Sequence, residues 1–404
     1  MIYLTYKTQS DFMTPLRYFA SSAAAAFDNA PYKPDNMFAR SVMAACQMLS
    51  RAGLSHERPP FRIPSVQLDG HEVGVQEDAA HVTPFATLLR FRKDADVAQP
   101  RVLLVAPLSG HFATLLRDTV NTLLPEHDVY ITDWHNARNV SLADGRFGLD
   151  EYIEHVVQFL EFLGPGAHVI GVCQPCVAVL AAVALMAQDG NPAQPRSMTL
   201  MAGPIDTRLN PTKVNELATG KPLEWFERNL IAPVPAGYVG ARRRVYPGFV
   251  QLGAFMSMNL SRHVKAHLDL YAALVQGKYE EADATKTFYD EYFAVLDLPA
   301  EFYLETVGQI FQQHALPLGT LEWRGTRVDP RAIRKTALLT VEGEKDDICS
   351  VGQTLAAQEL CGGLWPNRKR HHLQAGVGHF GVFSGRRWQT QIYPILRNVI
   401  LAND

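Results

Sequence analysis

Hydrophobic and polar positions recur along this chain with a period that changes from block to block, and the changes predict its elements. Residues 11–27 carry helical periodicity, Pro31 and Pro34 break it, and 37–54 give a second helix stopped around Gly53. Residues 66–76, folded about Asp69-Gly70, read as a hairpin, and 85–92 as a further strand. From 101 the pattern becomes regular. A buried strand over 101–106 leads through Pro107-Leu108-Ser109-Gly110-His111 to a helix over 113–124 and a strand over 129–132. A helix over 149–163, opened by Asp150 and closed by Gly164-Pro165, precedes a strand at 168–172, a helix from 177 and a strand at 197–202. Strands alternating with helices argue for a mostly parallel sheet covered on both faces.

The alternation stops after Asp206. Residues 207–330 are rich in aromatics and helical periods, as in Phe288-Tyr289-Asp290-Glu291-Tyr292-Phe293 and 300–312, with no strong strand. The Pro- and Gly-rich stretch 231–240 reads as a loop within them. The α/β pattern then resumes with a strand at 337–341, a helix near 353–360, a strand at 371–374 and a closing helix over 387–401. The expected organisation is an N-terminal helical extension over 1–60, a sheet core over 61–206 and 331–404, and a helical cap inserted over 207–330.

Candidate chemistry enters at Gly171-Val172-Cys173-Gln174-Pro175, squeezed between the strand at 168–172 and the helix that follows. That is the layout of a nucleophile elbow, a tight strand-to-helix turn that holds one side chain above the sheet. The helix N-terminus behind it favours negative charge, which sets up Cys173 as a thiolate nucleophile. Cysteine stands where the motif usually has serine. Pro175 stands where it has a second glycine, and proline fits a first helical turn. After the cap, Glu342-Gly343-Glu344-Lys345-Asp346-Asp347-Ile348 ends one strand and Gly376-Val377-Gly378-His379 follows the next. Nucleophile, acid, histidine is the chain order of the α/β-hydrolase fold, the fold expected here. Cys173 attacks, His379 shuttles the proton and Asp346 orients the imidazole, with Asp347 as a competitor for the acid. The oxyanion hole is expected from the backbone N–H of Gln174 and from that of Leu108 or Ser109.

Composition narrows the picture. At 47% apolar and 20% charged residues over 404, the chain is ordinary for a globular protein, and a net charge of −3 gives no field toward nucleic acid or anionic membrane. No apolar run reaches about 18 residues, so no membrane span is expected. Asp11, Pro15 and Arg17 interrupt what a secretory signal ending near 21–26 would need. Five cysteines without framework spacing suit a reducing, cytoplasmic setting. Cys173 and Cys176 also spell Cys-x-x-Cys, a redox alternative that accounts for neither Asp346 nor His379. Cys349 and Cys361 form no second close pair, so no metal is expected. The basic runs Arg242-Arg243-Arg244 and Arg368-Lys369-Arg370 are too short for a nucleic-acid surface. Trp225, Phe226, Tyr246, Phe249, Phe255, Tyr289, Tyr292 and Tyr303 are core by default, and a subset could line an apolar groove.

Along nearly its whole length the sequence resembles the intracellular polyhydroxyalkanoate (polyhydroxybutyrate) depolymerases that use a cysteine nucleophile. The resemblance runs through Val105-Ala106-Pro107-Leu108-Ser109-Gly110-His111, Tyr130-Ile131-Thr132-Asp133-Trp134, Val172-Cys173-Gln174-Pro175 and Gly203-Pro204-Ile205-Asp206. It continues through Arg244-Val245-Tyr246-Pro247-Gly248-Phe249, Glu342 to Ile348, and Gly378-His379-Phe380-Gly381-Val382-Phe383-Ser384-Gly385-Arg386-Arg387-Trp388. It implies hydrolysis of stored polyester granules in the cytoplasm, with Cys173, Asp346 and His379 at the catalytic positions. An uncharged ester needs no cofactor. The runner-up, a polyhydroxyalkanoate synthase, would keep a glycine at Pro175. Coenzyme A as acyl acceptor stays open beside water. A granule-coat protein without activity is disfavoured by the complete triad, and an exposed apolar cap surface would favour a homodimer.

Overall fold

The computed structural model describes residues 2–28, 36–258 and 260–404; Pro31 and Pro34, and the side chain of Phe255, lie outside that description. Two helices come first, α1 (Ile2–Asp28) and α2 (Met37–Ser50). The hairpin of β1 (Ser65–Leu68) and β2 (His71–Val82) turns at Asp69 and Gly70, both left-handed at φ 48° and 81°. Two positive φ values give the turn whose twist matches the flanking strands. Then follow β3 (Ala86–Lys93), β4 (Arg101–Val105), α3 (Arg117–Leu123), β5 (Asp128–Trp134), α4 (Leu149–Leu163), β6 (His168–Val172), α5 (Cys176–Gln188) and β7 (Ser197–Met201).

Between β7 and the next long strand lie α6 (Lys213–Thr219), α7 (Leu223–Leu230), α8 (Gly248–Met258), α9 (Leu260–Gln276), α10 (Tyr279–Tyr292) and α11 (Ala300–Glu305). Only strands of two or three residues occur among them. β8 (Ala232–Pro233), β9 (Arg244–Tyr246) and β10 (Leu298–Pro299) form one small antiparallel sheet, and β11 (Glu322–Trp323) pairs with β12 (Thr326–Arg327). Elements of two or three residues are too short to show alternation, so their pairing is set through space. The chain closes with β13 (Ala337–Gly343), α12 (Ala357–Leu360), β14 (Lys369–Gln374), α13 (Gly385–Arg387) and α14 (Tyr393–Leu401).

Nine strands make one sheet in the order β1-β2-β3-β5-β4-β6-β7-β13-β14. From β5 to β14 every neighbour is parallel; β1, β2 and β3 add an antiparallel edge. The expected α/β-hydrolase architecture is therefore present. Every residue of α5 from Cys176 to Met186 is buried, so this helix lacks a polar face and reads as a continuous apolar run.

Two local expectations change. The helix over 149–163 is opened by Gly148, whose N–H donates to the Glu151 carboxylate at 2.6 Å, while the Asp150 side chain accepts from the Arg324 N–H. The helix expected over 353–360 shrinks to α12. Ahead of it the buried Glu342 carboxylate accepts the N–H groups of Gly352, Thr354 and Leu355, holding that segment in turns.

α1 is tied to the cap-side residues by one buried carboxylate. Asp297, fully buried, accepts Tyr3 Oη at 2.7 Å, both Arg138 Nε and Nη2 at 3.1 and 3.0 Å, and the Gly248 N–H at 2.9 Å.

Candidate active site

β6 ends at Val172 and α5 begins at Cys176, so Cys173, Gln174 and Pro175 alone reverse the chain. Cys173 sits at φ 67°, a left-handed conformation that costs a non-glycine residue roughly 1–3 kcal/mol. Neighbouring backbone holds it there. Its N–H donates to Met201 O at 2.7 Å, and its own carbonyl accepts from the Cys176 N–H at 3.1 Å. Gly171 lets the helix settle on the strand, since a Cβ there would meet Val179 Cγ2 at 3.2 Å and Cys176 Cα at 3.5 Å. Pro175, at φ −68° and ψ −9°, is already helical and replaces the usual glycine without strain.

Cys173 is partly exposed, whereas Cys176 is fully buried beneath it. Cys176 Sγ points at Gly171 O (3.2 Å) and Met201 O (3.6 Å), and burial pushes its thiol well above the ordinary range. A Cβ on Gly203 would lie 2.3 Å from that sulfur, so Gly203 makes the space it occupies. Cys176 is a packed core atom, which leaves a redox pair without its second thiolate.

The candidate acid arrives from the end of β13. Asp346 Oδ2 lies 2.8 Å from His379 Nδ1, and Oδ1 accepts the N–H groups of Ile348 at 2.9 Å and Cys349 at 2.8 Å. Both side chains are buried, while the competitor Asp347 is exposed. The two loops are laced together by the Lys345 N–H on Val377 O at 2.8 Å. The imidazole is flanked edge-on by Phe380 and Phe383 at 5.8 and 5.7 Å between centroids. Burial alone would lower the His379 pKa. The charges of Cys173 and Asp346 and their hydrogen bonds to the ring outweigh it and hold the imidazole well above its usual value. Asp346 and His379 are thus joined by a hydrogen bond, and the charge of Cys173 acts on the same ring.

The loop after β4 is pinned at Ala106, whose carbonyl accepts Trp134 Nε1 at 2.8 Å and Tyr152 Oη at 3.1 Å. Beyond it, Ser109 O accepts Gln251 Nε2 from α8, and Gly110 O accepts the Leu296 N–H at 3.0 Å. The structure brings Leu108 and Gln174 together in an unforeseen way. The Leu108 N–H donates to the Gln174 side-chain oxygen at 3.3 Å. Ser109 is half-buried on the same loop.

Two residues escaped the sequence reading. The Gln174 carboxamide gave no signal, because only its backbone N–H was sought. Glu342 did: it is the one acid inside the apolar run of β13, and it shapes the turns downstream of Asp346.

The strand order, a left-handed residue at the elbow, and an acid and histidine after successive strands define an α/β-hydrolase. The family model described as PHB de-polymerase C-terminus matches residues 202–404, and the chain belongs to that family. It is an ester hydrolase by family and fold. No match is found among curated proteins. Among solved structures, a protein proposed to be a lipase, from Acinetobacter baumannii AYE, aligns at TM-score 0.46 and 14% identity, over 81% of this chain and 93% of that one. The monoacylglycerol lipase of Paleococcus ferrophilus aligns at 0.43 and 13%, over 76% and 97%. The 2-hydroxy-6-oxo-6-phenylhexa-2,4-dienoate hydrolase of Rhodococcus sp. strain RHA1 aligns at 0.42 and 12%, over 82% and 99%.

Proposed function

We propose that this protein is an intracellular polyhydroxybutyrate depolymerase that cleaves stored short-chain polyester through Cys173, His379 and Asp346. The observation that carries the reading is a buried imidazole hydrogen-bonded to a backbone-anchored carboxylate, beside a left-handed cysteine at a strand-to-helix turn whose charge acts on that ring. The Cys173 thiolate bonds to the ester carbonyl carbon, and the carbonyl electron pair moves onto oxygen. Collapse expels the polymer alkoxide, which takes a proton from the His379 imidazolium. Water then attacks the thioester as His379 removes its proton, and the thiolate leaves. Asp346 holds the imidazole by Nδ1 and stabilises its charged form throughout.

A water-insoluble substrate calls for an apolar face. α2 packs against both α1 and α9, and this layer exposes Phe12, Leu16 and Phe19 on α1 and Leu260, Val264 and Leu268 on α9. An open hollow of about 410 Å³, mostly apolar, is lined by Met48 of α2, Met256 of α8, and Leu260, Val264, Leu268 and Tyr271 of α9 together with His263 and His267. Exposed apolar surface of this kind suits adsorption to a granule, or a second copy of the chain. No described helix is long and apolar enough to cross a membrane.

Release of 3-hydroxybutyrate from amorphous polyhydroxybutyrate granules tests the assignment. Wild type should release it and Cys173→Ala should not. Adding coenzyme A and assaying 3-hydroxybutyryl thioester separates hydrolysis from transfer to a thiol. Polymer growth from that thioester, without release from granules, would instead mean a synthase.

A further inference from the structure

We propose that the Gln174 side chain is itself an oxyanion donor, its Nε2 hydrogen-bonding the ester oxygen as negative charge develops there. This rests on the reading of Cys173 as an acyl-transfer nucleophile. Gln174 is the residue after Cys173, and its side chain turns back across the gap between the elbow and the loop after β4. There the Leu108 N–H meets its Oε1 at 3.3 Å. A backbone N–H can only donate, so this contact fixes which end of the carboxamide is oxygen. The free end is Nε2, which is buried without a hydrogen-bond partner in a residue only 9% exposed. Leaving a buried amide donor unpaired is costly, and a bound acceptor would supply the missing partner. The gap that holds this carboxamide is the one the α/β-hydrolase fold uses for the oxyanion.

The arrangement also changes the part played by Leu108. Its N–H, expected to face the substrate, is engaged by Gln174 and orients the carboxamide, making Leu108 a positioning residue. As the thiolate sulfur bonds to the carbonyl carbon, the C=O electron pair moves to oxygen, and Gln174 Nε2–H and the Gln174 backbone N–H donate hydrogen bonds to that oxygen. When the intermediate collapses, the pair returns and the polymer alkoxide leaves with the His379 proton.

The test uses the full chain with p-nitrophenyl butyrate and its thiono analogue, in which sulfur replaces the carbonyl oxygen. Gln174→Met removes the donor at nearly constant volume. Gln174→Glu keeps an oxygen for the Leu108 N–H and replaces the NH2 group. Both should lower kcat by about a hundredfold or more with KM little changed, the loss reported for one oxyanion donor. The oxo-to-thiono rate ratio should fall with it, because sulfur accepts hydrogen bonds poorly. A purely structural role would move KM and thermal stability and leave that ratio alone. Gln174→Met with kcat within roughly threefold of wild type and an unchanged ratio would overturn the proposal. If that variant does not fold, Gln174→Glu carries the same decision. Full activity of Cys173→Ala on p-nitrophenyl butyrate would instead overturn the underlying reading, whatever the Gln174 variants do.

Discussion

Asp346 reaches His379 at 2.8 Å with one carboxylate oxygen while the other is held by two N–H groups of its own loop, from Ile348 and Cys349. With Oδ1 anchored, Oδ2 is held toward the ring, and it fixes the imidazole with Nδ1 facing the carboxylate. Asp346→Asn keeps that shape but presents the wrong partner to the ring, and should lower kcat by about 10³–10⁴. The exposed Asp347→Asn should retain wild-type activity. Steady-state kinetics on a soluble ester decides between the two acids.

Cys176 is buried against Gly203 and takes no part in the reacting chain. Cys176→Ala should therefore keep near-wild-type turnover and lose about 1 kcal/mol of stability to the small cavity. Urea unfolding beside an activity assay reads both. A loss of activity as deep as that of Cys173→Ala would revive the redox pair.

Asp297 gathers donors from Tyr3, Arg138 and Gly248 in a buried site. Arg138→Met leaves that carboxylate without its counter-charge, and should cost about 3–5 kcal/mol of stability. Tyr3→Phe removes one donor for about 1 kcal/mol and should loosen α1 selectively. Hydrogen exchange in residues 2–28, measured beside global unfolding, distinguishes the local from the global effect.

Burial holds His56, His111 and His127 neutral in the folded protein, each with a pKa lowered to about 4. In the unfolded chain each titrates near its ordinary value of about 6.5. Between those values the unfolded state binds more protons, so stability falls as pH drops from about 6.5 toward 4. His379 has the opposite sign: its raised pKa contributes stability below about 6.5 that is lost as pH rises through the folded value. In the acid window it is protonated in both states and leaves the slope unchanged. Denaturant unfolding at pH 6 and pH 4.5, inside that window, should show the loss, and His127→Gln should lessen it.

The exposed side chains of Phe12 on α1 and Leu268 on α9 lie far along the sequence from the catalytic residues. Phe12→Asp and Leu268→Asp should cut release from granules at least about tenfold while leaving hydrolysis of a soluble ester unchanged, because burying a charge against an apolar surface is costly. Equal activity of both variants on granules would remove this face from polymer binding. Sedimentation of the same variants reports whether the face instead pairs two copies of the chain.

The sequence by itself determined the alternation of strands and helices, the tight turn at Cys173 and the chain order of Cys173, Asp346 and His379. Each of these is written in local chemistry: β-branched runs, a glycine where a helix must approach a strand, a proline at a first helical turn. Tertiary structure separates Asp346 from Asp347. Spacing from Gly343 only favoured Asp346 over its neighbour, and it is in three dimensions that one carboxylate meets His379 while Asp347 is exposed. Tertiary structure likewise decided the small sheet of β8, β9 and β10, whose strands pair across more than fifty residues of sequence between β9 and β10. The burial of Cys176 and the reach of Gln174 to Leu108, 66 residues away, belong to the same class. Periodicity records which face of an element is buried, but hydrogen bonds between loops depend on where other elements place their backbones.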